Sequence, residues 1–501
     1  MLPVRPGLAL LVALATPAWA QTPPSPEPAA PAAQPLPEGP ERPELPATES
    51  FDAKLSAQLG QPGGLTADET ARRATATSLE VRGREAELEA AEAGVSQALA
   101  SFLPRVSVTA GYTRQSAIAP QAFGTLVASP GSAAGPLPPG APLENVALAI
   151  PTLQNQTTVR AALTVPVSDY LLRLSRNYAS ANASEAAARH TTQATQLKVA
   201  ADARILYYSW IRAALQSTVA EASLAQARDH LADAHRAFAV GGASRADVLR
   251  VEAQVASAEL LVARTANLRN LQAERLRTAL HEPRAADFAI GEDVREALPP
   301  LDGLSSPAEL VEEARGHRLE LRAVQEATSA ARSQAQGTRA GYLPRLDAVG
   351  DVIYANPNPR YFPPTPEFNT TWSAGVQLSW TPTDILTTRG ASRAANARVA
   401  QLEAQRAALE DGLQVEVVQA LNDLREAELA SQTTQRGLSS SEEAYRVRRL
   451  LFQNGRATST ELTDAEADLT RARFDAVNAR IDLRLARVKL LHALGRDVQP
   501  S

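Results

Sequence analysis

Several things are scarce in this chain, and each scarcity closes off a class of protein. Cysteine is absent, which removes disulfides, thiolate metal sites and lipid attachment through an N-terminal cysteine. Aromatic residues make up 4 % of the chain against a hydrophobic total of 44 % dominated by alanine. Closely packed helices are therefore expected, rather than a thick aromatic core. Long apolar runs are missing too: a stretch such as residues 205–215 is interrupted by Arg212. No spanning helix is expected, and any part that enters a membrane has to do so with strands, because only helices and closed barrels satisfy their backbone groups in lipid. The formal charge of −5 is spread along the chain without a basic patch, so nucleic acid is not an expected partner. Chemistry is scarce as well. The six histidines, His190, His230, His235, His281, His317 and His492, are scattered through helical segments, and the spacing of His230 and His235 suits solvated surface better than a shared metal. Without a nucleophile elbow or a Gly-rich phosphate loop after a strand, no catalytic, cofactor-binding or metal-ligating residue is expected, and the chain reads as a non-enzyme.

The beginning of the chain reads as an export signal over residues 1–20. Arg5 supplies the positive start, Leu8 to Ala15 the short apolar run, and Ala18-Trp19-Ala20 the small-x-small cleavage site. Residues 21–50, rich in proline and alanine, are expected to be a flexible leader.

From about Phe51 the chain reads as two copies of one plan, residues 51–285 and 307–501, joined by a linker at 286–306. Leu103-Pro104-Arg105 recurs as Leu343-Pro344-Arg345, and Leu79-Glu80-Val81-Arg82 as Leu319-Glu320-Leu321-Arg322, both at an offset of 240. Phe238, Gly241, Ala243, Asp247, Val248 and Glu252 find counterparts at an offset of 214 in Phe452, Gly455, Ala457, Glu461, Leu462 and Glu466. The first copy thus carries 26 extra residues, most of them assigned to the Pro/Gly/Ala/Ser-rich loop at 116–155.

Each copy begins with a helix of about 36 residues (66–102 and 307–342) that stops at Pro104 or Pro344. Two alternating segments follow, about 106–114 and 157–165 in the first copy, 346–354 and 371–381 in the second. Val106, Val108, Ala110 and Tyr112 share one face against Ser107, Thr109, Gly111 and Thr113, the pattern of a strand with one apolar side, and the lengths suit a tilted membrane strand. Trp372 and Trp380, eight residues apart and hence about 26 Å along a strand, are placed like two interfacial aromatic girdles. A very long helix comes next (169–240 and 384–454), then a turn at Gly241 or Gly455, then a returning helix of about 40 residues. Four strands cannot close a barrel, so several chains have to contribute to one.

Helix, Leu-Pro-Arg, hairpin, long helix, glycine turn and helix, all duplicated from about Phe51 to Asp497, resembles the TolC-type outer-membrane efflux protein family. The resemblance implies an α+β, mainly α fold. Three chains would form a twelve-stranded β-barrel in outer-membrane lipid, continued by a periplasmic α-helical barrel. It also implies a passive tunnel to the exterior for drugs, metabolites or secreted polypeptides, docked to a periplasmic adaptor (membrane fusion protein) and an inner-membrane RND or ABC transporter, as in tripartite efflux and type I secretion.

In such proteins the periplasmic helix turns narrow to an acidic constriction held by a tyrosine and an arginine. The matching acids here are Glu461 and Asp464, three residues apart on one helix face. The tyrosine position holds Phe452, which has no hydroxyl, and the arginine position holds Ala457, with Arg456 one place earlier and Arg245 as another possible substitute; Asp247 is the first-copy acid. The plainer reading of Glu461 and Asp464 is a solvated helix start, where acids are favoured in any case. A rival for the whole chain is a periplasmic coiled-coil scaffold or adaptor without a pore, which would have no reason to carry four amphipathic strands.

Overall fold

A computed structural model describes residues 51–497, apart from 119–121, 130–135, 137–138, 150–152, 284–287 and 305. The expected signal and leader lie outside the described residues. In chain order the elements are α1 (Phe51–Gln58), α2 (Ala67–Thr77), α3 (Leu79–Ala100), β1 (Arg105–Arg114), β2 (Ala122–Ala128), β3 (Glu144–Ala149) and β4 (Asn155–Val165). Then come α4 (Val167–Asp169), α5 (Ser175–Ala239), α6 (Arg245–Leu280), α7 (Pro307–His317), α8 (Leu319–Arg339), β5 (Arg345–Asn356), β6 (Asn369–Ser379), α9 (Asp384–Gln453) and α10 (Ser459–Leu494).

The duplicated plan is present, with two corrections. Each expected 36-residue opening helix is broken in two. Ser78 takes an extended conformation between α2 and α3, and its Oγ accepts the Val81 N–H to start the second helix. Arg318 is likewise extended between α7 and α8 but caps nothing with its side chain; its guanidinium instead reaches Glu320, Glu416 and the carbonyl of His492. The break falls just before the Leu-Glu-x-Arg landmark in both copies, so that landmark is the first turn of a new helix. The loop at 116–155, expected to be irregular, carries the two-stranded ribbon β2–β3. Its alanines and glycine blur the alternation that marks the other strands.

The four remaining strands form one antiparallel sheet in the order β1-β4-β5-β6. The register aligns Val108, Ala161, Val352 and Trp372 across it, and next to them Val106, Leu163, Gly350 and Ala374, so one face is apolar over these rows and turns polar only toward Arg114 and Asn155. Ser107, Ala162, Asp351 and Ser373 form the adjacent row on the opposite, polar face. The apolar face is uncovered: Val106, Val108, Tyr112, Val376 and Leu378 are exposed, as are Trp372 at 74 % and Trp380, one residue past β6, at 54 %.

Helix α5 is the spine of the helical part. At 1.5 Å per residue its 65 residues span roughly 100 Å, and α9 with 70 residues slightly more. Helices this long need neighbours to be stable. Around the middle of α5, Tyr207, Trp210 and Ile211 pack with Leu55, Leu276, Val294 and Ile481. Along α9 the buried residues Leu413, Val417, Ala420, Leu424 and Ala427 alternate in steps of three and four, a single heptad seam. The seam meets Leu310, Ala314, Leu490 and Leu494. Away from it Val415, Leu429 and Leu450 are exposed, as are Leu249, Leu260 and Leu271 on α6. The single chain leaves apolar helix surface unmatched.

The linker is strapped to this middle region. Leu65 and Ile290 form a parallel bridge, the Tyr207 hydroxyl donates to the Leu65 carbonyl at 2.6 Å, and the Glu292 carboxylate accepts from the Ala67 N–H and the Tyr208 hydroxyl. Burial pushes both phenols above their ordinary range. Gly64 and Gly291 make the bridge possible: a Cβ on Gly291 would sit 2.4 Å from the Gly64 carbonyl oxygen. Gly291→Ala is therefore expected to cost about 1–3 kcal/mol, read as a lowered melting temperature, whereas Gly412→Ala, with open space around it, should leave the melting temperature unchanged or raised.

Candidate functional site

The two helix turns that end α5 and α9 are built alike. Each long helix closes on a glycine with positive φ, Gly241 at 75° and Gly455 at 68°, which lets the N–H groups just past the end return to the last turn. Gly242 N donates to the Ala237 carbonyl, and Arg456 N to that of Leu451, both at 2.8 Å. Two residues later the returning helix starts with a capping box. The Ser244 Oγ accepts the Asp247 N–H while the Asp247 carboxylate accepts the Ser244 N–H; Thr458 and Glu461 repeat the arrangement.

The expected acids thus fall into two groups. Asp247 and Glu461 have a local duty, saturating the first orphan amides of α6 and α10. The Ser244 hydrogen bonds hold the Asp247 carboxyl below the usual carboxylate range, and the Thr458 N–H, helped by Arg448, does the same for Glu461. Glu461 is exposed, and Arg448 Nη1 lies 3.1 Å from its Oε1. Asp464 is exposed one turn further along α10 and has no capping role. Both carboxylates of the expected pair therefore face solvent. Arg456 is exposed, and among the described residues no carboxylate pairs with it; the cation beside Glu461 is Arg448 on α9.

Phe452 is where the turns are held together. Its ring meets the imidazole of His230 edge-on, 5.3 Å between centroids. His230 had been expected on solvated surface; it is instead 2 % exposed. Its Nδ1 is 3.1 Å from Glu466 Oε2 on α10, and its Nε2 is 3.4 Å from the Ser459 hydroxyl. Helices α5, α9 and α10 thus meet at one buried polar cluster. Nearby Tyr445 of α9 packs against Leu438 and Leu469, and burial pushes its phenol up to about 12. Around the cluster, Gln453 donates to Asp233, Arg449 faces Asp229, and Arg250 of α6 donates to Thr460. Sequence reasoning missed His230, Ser459 and Glu466. The available signal was the company His230 keeps: Ala227 and Ala234, three before and four after it, are buried on the same helix face. Pro104 and Pro344 mark the other end of the helical part, each immediately before a strand.

Among the described residues no group of His, Cys, Asp and Glu could hold a metal, and no helix is long and apolar enough to cross a membrane. What the turns offer is a solvent-facing set of carboxylates on a firmly capped frame.

The family model for outer membrane efflux proteins matches residues 70–281 and 310–496. Among curated proteins no sequence matches. Solved structures are similar throughout. The outer-membrane channel OprN superposes with a TM-score of 0.71 at 17 % identity, over 89 % of this chain and 96 % of that one. The outer membrane protein VceC from Vibrio cholerae gives 0.69 at 16 % identity, covering 86 % and 96 %. The Campylobacter jejuni CmeC outer membrane channel gives 0.70 at 13 % identity, covering 88 % and 90 %. At such identities the likeness is one of fold.

Removing the imidazole would leave the Glu466 carboxylate buried beside Phe452 without its donor. His230→Leu is therefore expected to destabilise the turns by about 1–3 kcal/mol. Limited proteolysis at residues 240–244 and 454–458 should accelerate, while His235→Leu, at an exposed position, should leave the cutting rate unchanged.

Proposed function

The chain belongs to the outer membrane efflux protein family and is an outer-membrane channel subunit, and we propose that three copies of it form one passive tunnel from the periplasm to the exterior. The observation that carries the proposal is the four-stranded sheet. Its apolar face is exposed along its whole width, and its outermost strands β1 and β6 have no further partner among the described residues. Open edges are not tolerated in hydrocarbon, so β6 of one chain has to pair with β1 of the next. Three copies give twelve strands, within the usual size range of outer-membrane barrels. The apolar face then meets lipid, Trp372 and Trp380 lie toward its two borders, and the polar face lines the lumen. A coiled-coil scaffold would leave that sheet without a use.

The remainder of the proposal extends the family reading. Residues 1–20 direct export and are removed, and without cysteine the mature chain is held by its barrel alone. The α5–α6 and α9–α10 turns face the periplasm, where an adaptor and an inner-membrane transporter of the RND or ABC type complete the exporter. There the exposed pair Glu461 and Asp464, repeated in three copies, forms an acidic ring that draws cations to the tunnel entrance. Arg448 tempers it, and the capping boxes hold it in place.

Detergent, not salt, is expected to release the protein from membranes, as a trimer that gives discrete cation-preferring conductance steps in a planar bilayer. A monomer that washes off with salt would overturn the proposal. In the same assay Glu461→Gln with Asp464→Asn should weaken cation preference, and an unchanged reversal potential would refute the acidic ring. Because the folded Glu461 carboxyl titrates below its ordinary value, its contributions to charge and to helix capping are both fully present above about pH 4.3. They are lost as the pH falls through the lower folded value. Cation preference should accordingly survive mild acid and fade only beneath the ordinary glutamate range.

A further inference from the structure

The β5–β6 connection, residues 357–368, turns back over the polar face of its own hairpin. Asn358 is fully buried, and its side-chain amide donates to the Asn369 carbonyl at 2.8 Å and to the Thr371 hydroxyl at 3.2 Å. Beneath the connection Ile353 and Ala355 are buried, whereas Val352 and Tyr354 on the other face are exposed. Arg360 reaches further along the strands. Its Nη2 is 3.3 Å from both oxygens of Asp351 and 2.9 Å from the Ser373 hydroxyl, which itself donates to Asp351. Asp351 lies five residues, about 16 Å, from the end of β5 at Asn356. The same carboxylate faces Arg160 of β4 at 3.6 Å.

Two guanidinium groups therefore share one carboxylate on the polar face. The other charges nearby do not cancel the excess. Glu367 of the connection adjoins Phe368, whose ring stacks on Tyr354 of the apolar face, 5.0 Å between centroids. At the far end of the strands Arg345 and Arg173 balance Asp347 and Asp169. Arg105 is exposed on the polar face as well, two residues before Ser107 in the Asp351 row.

We propose that Arg160 and Arg360, held by Asp351, form a cationic belt inside the barrel that locally enriches anionic solutes over cationic ones, in series with the acidic ring that sets the cation preference of the whole tunnel. This rests on the trimeric barrel of the preceding section, in which the polar face becomes the lumen and three copies repeat the excess charge. Field lines in a narrow passage with low-dielectric walls are focused along it, so a few fixed charges act strongly there. The belt is opposite in sign to the acidic ring at the periplasmic turns. Arg160 comes from the first repeat, Arg360 and Asp351 from the second.

The absence of cysteine allows single thiol reporters without background. Gln377→Cys places one on the polar face, four residues beyond Ser373, and Val376→Cys places one on the apolar face. The full chain, in intact outer membranes, is treated from outside with an anionic and a cationic methanethiosulfonate. At Gln377→Cys the anionic reagent should be favoured roughly tenfold over its preference for a free thiol. Adding Arg360→Gln should bring that preference down, Arg360→Lys should retain it, and Asp351→Asn should raise it. The two variants that break the clamp thus move the ratio in opposite directions, which a merely structural clamp would not do. A parent ratio equal to that of a free thiol, or a shift in the same direction in both variants, overturns the belt while leaving the barrel intact. Equal rates at Val376→Cys and Gln377→Cys with both reagents overturn the barrel, and the belt with it.

Discussion

A strand carried into hydrocarbon has to find a partner for every amide and carbonyl it brings, and this requirement governs the rest of the molecule. Four strands in the order β1-β4-β5-β6 satisfy each other and leave two edges open. In the proposed trimer other copies close the open edges by pairing β1 with β6, and the apolar face meets lipid. Once three copies surround an axis, the helices leaving the sheet have to surround it too. The apolar residues that α6 and α9 leave exposed, Leu260 and Leu429 among them, then become surface for neighbouring helices.

Most of the order of helices and strands was legible in the sequence, for a physical reason. Strand alternation has a period of two and heptads a period of three and a half, so long repetitive elements average out the accidents of single residues. The strands begin and end within two residues of their expected limits and α9 within one, whereas α5 starts six residues later than expected, behind α4 and a π-helical turn at Tyr170–Leu174. The illegible parts are those in which one residue decides. Ser78 and Arg318 break helices whose flanks read as continuous, because a side chain that caps or reaches elsewhere outweighs a weak local propensity. The β2–β3 ribbon went unseen because its residues carry little alternation. His230 is the clearest case. On composition a lone histidine belongs at the surface, and only the alanines around it and the carboxylate of Glu466, 236 residues away, bring it inside.

The acids at the turns show how one group can meet two demands. Asp247 and Glu461 stand where a helix start needs a carboxylate whether or not anything flows past it. Charge at the turns then follows from the requirements of helix capping, and Asp464, which has no capping duty, is the free variable. The frame beneath is the buried polar cluster of His230, Glu466 and Ser459, with the Phe452 ring edge-on against the imidazole.

The two turns are near copies: the same glycine, the same return hydrogen bonds and the same capping box, 214 residues apart. In a threefold assembly this produces a pseudo-sixfold rim. A binding protein that recognises only the shared backbone form would meet six almost equal sites and could saturate at six per channel. One that distinguishes Glu461 beside Arg448 from Asp247 beside Ser244 would stop at three. For any such partner of the proposed trimer, the stoichiometry of binding depends on how finely it reads a duplication that the fold has only partly erased.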